Sequence, residues 1–204
     1  MTDQMLPYRD LPPAKWREKT LELISMHPLK CEEILEVTLG VWKDIFESGI
    51  GGKPFRIGVN LFPKPQIMGF FLHELIPLEF ARRYPGVWRG EADARDKDLV
   101  YMPDGSYSVE IKTSSHRSKI FGNRSYAQEA RSTKKSKSGY CLAVNFGKFE
   151  DKRTGAQPKI LRVRFGWLDA SDWRGQKAAS GQQANLSAEV EESKLLEIFP
   201  KWNV

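Results

Sequence analysis

Cysteine is nearly absent: Cys31 and Cys141 are the only two in 204 residues. That excludes a disulfide framework and leaves no spacing for a zinc site, so both are expected as buried fillers. Histidine is almost as scarce. His27 and His73 carry no partner motif, and His116 stands alone with no metal role assigned to it. No apolar run reaches the length of a membrane span, and the polar start Met1-Thr-Asp-Gln lacks a signal-peptide pattern, so the expected location is cytoplasmic. Internal repeats and low-complexity linkers are missing as well.

What remains is the composition of a globular protein, 40% hydrophobic and 28% charged, of a length expected to form a single domain with a sizeable core. The net charge of +6 permits a polyanionic partner. Its distribution says more, because Lys112 to Lys137 holds eight basic residues against one acidic, Glu129. A phosphate backbone calls for such a block, although a solvated helix and loop would look the same.

The block follows the stretch Asp98-Leu-Val-Tyr-Met-Pro-Asp-Gly-Ser-Tyr-Ser-Val-Glu110-Ile-Lys112. Two short apolar and aromatic runs flank Pro103-Asp104-Gly105-Ser106, in which proline and glycine supply the dihedrals of a turn, so a β-hairpin is expected. Alternation along the second strand puts Glu110 and Lys112 on one face and Ile111 on the other. A turn of about four residues would bring Asp98 opposite Glu110 and Ile111. Two carboxylates at close range repel, and a divalent cation gives their convergence a reason. Mg²⁺ prefers hard oxygen ligands and is held by one or two carboxylates together with water and phosphate oxygens. Asp98, Glu110 and the Ile111 carbonyl are the expected ligands, with Lys112 beside the scissile phosphate to prepare the attacking water. Glu-x-Lys alone is weak evidence, since Glu150-Asp-Lys152 and Glu192-Ser-Lys194 also occur. Only Glu110-Ile-Lys112 lies on a predicted strand with an acid at hairpin distance. Asp93 and Asp96 lie in polar loop, and Asp104 reads as a turn former.

Asp98 with Glu110-Ile-Lys112 and an upstream helical glutamate resembles the core of PD-(D/E)xK nucleases. Between Gln66 and Leu186 the chain is similar to type II restriction endonucleases, most closely the ScaI-type group. That resemblance is carried by Val109-Glu-Ile-Lys-Thr-Ser-Ser115, Ile120-Phe-Gly-Asn-Arg-Ser-Tyr-Ala-Gln128, Arg164-Phe-Gly-Trp-Leu-Asp169 and Gly181-Gln-Gln183. It implies a glutamate on the helix before the hairpin facing the metal. Glu74 fits best and Glu79 is the alternative, and either is also placed to pair with Arg82 or Arg83. The resemblance further implies products with a 5′-phosphate and a 3′-hydroxyl, and a companion DNA methyltransferase protecting the host genome.

Periodicity predicts helices over Ala14–Met26, Lys30–Glu47 and Gln66–Tyr84, the last apolar nearly all round and kinked at Pro77. Arg56 to Asn60 reads as a short strand and Pro85 to Asp96 as a solvated loop. A helix from Ser125 to about Lys135 would cross over to the apolar strand Tyr140–Phe146 and make it parallel to the Glu-x-Lys strand. Ile160–Leu168 reads as a strand with one wet face, Asp169–Leu186 as a polar segment, and Ser187–Phe199 as a short amphipathic helix. Ser114, Ser115, Lys119, Asn123, Arg124, Tyr126, Gln128, Gln176, Lys177 and Gln182 are the expected DNA contacts, being side chains that clamp phosphates or pair with base edges.

The expected fold is α/β: a mixed sheet of about five strands flanked by helices, with the hairpin in its centre. Residues 1–60 form a packing and dimerisation part and residues 66–186 the catalytic, DNA-reading core. The expected function is Mg²⁺-dependent cleavage of double-stranded DNA at a short palindromic site by a homodimer, one active site for each strand. A structure-specific repair nuclease or resolvase, and a non-catalytic nucleic-acid-binding module, are the rival readings.

Overall fold

The computed structural model describes residues 6–52, 54–127, 136–150, 156–176 and 181–200. Its elements in chain order are α1 (Trp16–Met26), α2 (Cys31–Glu47), β1 (Gly49–Ile50), β2 (Phe55–Arg56), α3 (Pro65–Arg83), β3 (Trp88–Gly90), β4 (Leu99–Tyr101) and β5 (Val109–Ser114). There follow β6 (Phe121–Asn123), β7 (Gly139–Phe146), β8 (Ile160–Leu168), β9 (Arg174–Gly175), β10 (Gln183–Asn185), α4 (Ala188–Lys194) and β11 (Leu195–Phe199).

Six strands form the main sheet in the order β11-β8-β7-β5-β4-β3. The neighbours β5 and β7 run parallel and every other pair is antiparallel. This is the expected mixed sheet between helices, but two of its six strands were not expected, and the short strand expected over Arg56–Asn60 is instead β2, paired with β1 in a separate two-stranded sheet. One is β3, which lies in the segment read as solvated loop: Trp88 is 3% exposed and its strand pairs with β4. Three residues are too few to show an alternating pattern. β11 replaces the second half of the expected terminal helix, because Leu195, Leu196 and Ile198 are buried at strand spacing beside β8. The loop between β4 and β5 runs over 102–108, longer than expected, and includes a short 3₁₀ turn at Gly105–Tyr107 capped by the Asp104 carboxylate.

Strand alternation sorts the sheet into two faces. Ile111, Leu142, Val144, Phe165 and Leu196 point into the larger core, against α2 and α3. Cys141, Ala143, Leu168 and Leu195 point the other way, into a smaller core with Trp173 and Ala184 beneath a second sheet, ordered β6-β10-β9. Both cysteines are buried, as expected. α2 buries Ile34, Val37, Val41, Trp42 and Ile45 at helical spacing. α3 runs through Pro77 and buries Met68, Leu72, Ile76 and Phe80, but Ile67, Phe70 and Leu78 are exposed. It is therefore apolar all round without being buried all round. At Gly69 it passes so close to β5 that an added Cβ would stand 2.6 Å from Thr113 Oγ1.

Candidate active site

The β4–β5 ladder has one register pair among the described residues, Leu99 with Val109. Beyond it β4 leaves the edge of β5, and side chains occupy the notch. The Ile111 N–H donates to Asp98 Oδ2 at 2.5 Å, where a neighbouring strand would otherwise accept. N–H and C=O of one residue point to the same edge of a strand, so the Ile111 carbonyl also faces the Asp98 side. Glu110 and Lys112 share the opposite face of β5, and Lys112 Nζ donates to Glu110 Oε1 at 2.6 Å. Both are largely buried, with side chains 8% and 13% exposed. Tyr126, on the 3₁₀ turn Arg124–Ala127 after β6, donates its hydroxyl to the same Glu110 oxygen. Burial, followed by the Glu110 charge, pushes the Tyr126 phenol far up, which keeps it a donor.

From the other side α3 supplies His73 and Glu74. His73 Nδ1 stands 3.7 Å from Asp98 Oδ2, although no sequence motif gave this histidine a partner. Glu74, Glu91, His73 and Asp98 line one cavity of about 190 Å³. A broader cleft of about 820 Å³ beside it is lined by Gln66, Ser114, Ser115, His116, Asn123, Lys148 and Gln183, together with His73, Glu74 and Glu91. Glu79 is directed elsewhere. Arg82 and Arg83 donate to both of its oxygens and hold its carboxyl down at about 2. Asp96 is likewise absorbed by its own loop, through Arg89 Nη1 at 2.6 Å and the N–H groups of Ala92 and Asp93. Glu91 was not singled out in the sequence, because it stands in a stretch read as solvated loop. Only the pairing of β3 with β4 brings it to the site.

The expected DNA contacts divide into groups. Ser114, Ser115 and Asn123 line the broad cleft. Lys119 is exposed on a loop tied down from within: His116 Nδ1 accepts from the N–H groups of Ser118 and Lys119, and Asn145 Nδ2 donates to the His116 and Lys119 carbonyls. Arg124 Nη1 donates to the Gly181 carbonyl, and Gln182 is exposed on the neighbouring strand segment. Gln176 Nε2 donates to Gln183 Oε1 at 3.3 Å. Tyr126 departs from the expectation: it is half-buried and turned inward onto Glu110. Gln128 and Lys177 lie outside the described residues, as does most of the expected crossover helix.

Among the described residues no three His, Cys, Asp or Glu side chains gather closely enough to form a metal cage of their own. Asp98 lies at the β5 edge beside Ile111 and Glu110 on the β5 face with Lys112, and neither cavity above is lined by Glu110. The Lys112 ammonium beside Glu110 can donate a hydrogen bond to a water and place positive charge near an anion.

No solved structure matches this chain. The type II restriction enzyme ScaI from Streptomyces caespitosus is 47% identical over 193 residues, spanning 94% of this chain and 84% of that protein. The profile described as ScaI restriction endonuclease matches residues 6–199. A match of that extent takes in the helical N-terminal part as well as the notch on β5, and the chain therefore belongs to the ScaI restriction endonuclease family.

Proposed function

We propose that this chain, a restriction endonuclease by family, hydrolyses double-stranded DNA at a short palindromic site with Mg²⁺, leaving 5′-phosphate and 3′-hydroxyl ends. Asp98, Glu110 and the Ile111 carbonyl are the residues that would hold the metal. Bound magnesium supplies Lewis-acid polarisation of the scissile phosphate and lowers the pKa of water. Lys112 orients the attacking water by hydrogen bonding, and its positive charge offsets the charge that develops on phosphorus. Glu74 orients a water or supports a second ion. The reading rests chiefly on one observation, that Asp98 Oδ2 meets the backbone between Glu110 and Lys112 at 2.5 Å. A binding module would have no use for carboxylates facing an anionic ligand.

In this reading residues 66–186 are the catalytic and DNA-reading core of a single nuclease domain, which works in the cytoplasm as a homodimer so that each strand has its own site. A companion methyltransferase protects host DNA. The deciding experiment is digestion of one known plasmid with Mg²⁺, followed by sequencing of the ends. Discrete fragments with one common end sequence are expected, and Lys112→Ala should abolish cutting while retaining DNA binding in Ca²⁺. A smear or a ladder set by DNA structure would point to the repair-nuclease reading, and full cutting by Lys112→Ala would remove the assigned mechanism.

A further inference from the structure

The loop after β6 was expected to reach outward to DNA, yet one of its side chains points in. The Tyr126 hydroxyl meets Glu110 Oε1, and Lys112 Nζ stands 4.6 Å from the centroid of the Tyr126 ring. One phenol therefore touches both members of the Glu110–Lys112 pair, through different parts of itself. Its placement is built: the Trp173 ring lies 5.2 Å away, and a Cβ at Gly122 would come within 3.2 Å of Tyr126 Cγ and 3.1 Å of the Trp173 ring. Glycine at 122 is what allows the two aromatic rings to close over β6.

We infer that Tyr126 is a positioning residue for Glu110 and Lys112, and that it does not read DNA. The inference rests on the roles proposed above for that pair. A ligating carboxylate swings about its χ angles unless a donor fixes it, and loss of such a donor weakens metal binding by roughly 10–100-fold. The hydroxyl is such a donor for Glu110, beside Lys112 on the same oxygen. The ring serves Lys112: when a cation claims Glu110, the ammonium loses its carboxylate, and the negative π face remains as a partner near the attacking water.

The two parts are separable. Tyr126→Phe keeps the ring and its packing and removes only the hydroxyl, whereas Tyr126→Leu removes both. Mn²⁺ binding to the protein alone, read from the free-ion electron paramagnetic resonance signal, should weaken about tenfold in both variants. Single-turnover cleavage at saturating metal should fall a further tenfold or so only in Tyr126→Leu, in line with the cation–π loss. DNA affinity in saturating Ca²⁺ should stay within about twofold of wild type. Should Tyr126→Leu fail to fold, the Phe variant alone decides through its Mn²⁺ affinity. Reduced DNA affinity with Mn²⁺ binding intact would make Tyr126 a DNA contact and overturn the inference, as would wild-type Mn²⁺ affinity in Tyr126→Phe. A wild-type chain that binds Mn²⁺ normally but cuts no DNA would overturn the cleavage reading alone. One that binds no Mn²⁺ would overturn the metal site and this inference together.

Discussion

Replacing Lys194 by methionine should be among the most damaging single changes available outside the candidate active site. The ammonium is buried, its residue 2% exposed, and Nζ lies 2.8 and 3.0 Å from the Asp172 oxygens and 3.2 Å from Asp169 Oδ2. The Tyr8 and Trp16 rings cover it at 4.0 and 4.5 Å. Methionine fills the space but strands two buried carboxylates, and breaking a buried pair from one side costs about 3–5 kcal/mol. Against a typical total of about 5–15 kcal/mol that is a large fraction, and it should lower the urea midpoint by roughly 1.5–2.5 M. The pH dependence gives a sharper test. Burial already raises the Asp172 carboxyl above its ordinary 3.8 despite Lys194. Removing the cation raises it further, so the folded variant binds a proton at Asp172 more readily than the unfolded chain does. Its stability thus recovers as pH falls, and the deficit against wild type should shrink between pH 7 and pH 5. Urea titrations of both proteins at the two pH values measure it, with Lys194→Met/Asp172→Asn recovering part of the loss. A deficit below about 1 kcal/mol at pH 7, or one that widens on acidification, would refute the reasoning.

Three further outcomes are expected. His27 is 1% exposed, and burial depresses its imidazole from 6.5 to about 4. Its contribution is whole above 6.5 and is lost as pH falls toward 4, about 3 kcal/mol in all; a stability–pH slope equally steep in His27→Gln would disprove it. Gly69→Ala places a Cβ 2.6 Å from Thr113 Oγ1, so it should destabilise by about 1–3 kcal/mol despite the better helix propensity of alanine. Thr113→Ala should relieve that strain, and a Gly69→Ala protein that melts higher than wild type would contradict the clash. Glu74→Gln should slow single-turnover cleavage about tenfold or more, while Glu79→Gln leaves cleavage intact and costs about 0.5–1 kcal/mol through its partly exposed arginine pairs. Equal cleavage rates in the two variants would remove Glu74 from the proposed site.

The places of Glu110, Lys112 and Asp98 around β5 were legible because each signal was local: a proline-glycine turn, a two-residue period and an acid at hairpin distance. The parallel pairing of β5 with β7 was legible too, from an apolar run separated from β5 by a crossover's length of chain. The choice between Glu74 and Glu79 was not. Both are acids on one helix with arginines nearby, and only the fold turns one toward Asp98 and leaves the other to Arg82 and Arg83. Glu91 escaped notice because a three-residue strand carries too little pattern to separate it from loop. Lys194 reads as part of a chance Glu-x-Lys match on a terminal amphipathic helix. Its burial depends on Tyr8, Trp16, Asp169 and Asp172, which come together only when distant segments pack.

By itself the sequence determined the chemistry on offer: a strand bearing Glu and Lys on one face, an acid opposite it, helices with apolar stripes, and a family signature along most of its length. These follow from neighbours in the chain, whose spacing backbone geometry converts directly into direction. The tertiary structure alone decided which distant donors answer those acids: Tyr126 for Glu110 and Lys194 for Asp172. Long-range pairing depends on how two cores close around one sheet, and no local period encodes that closure.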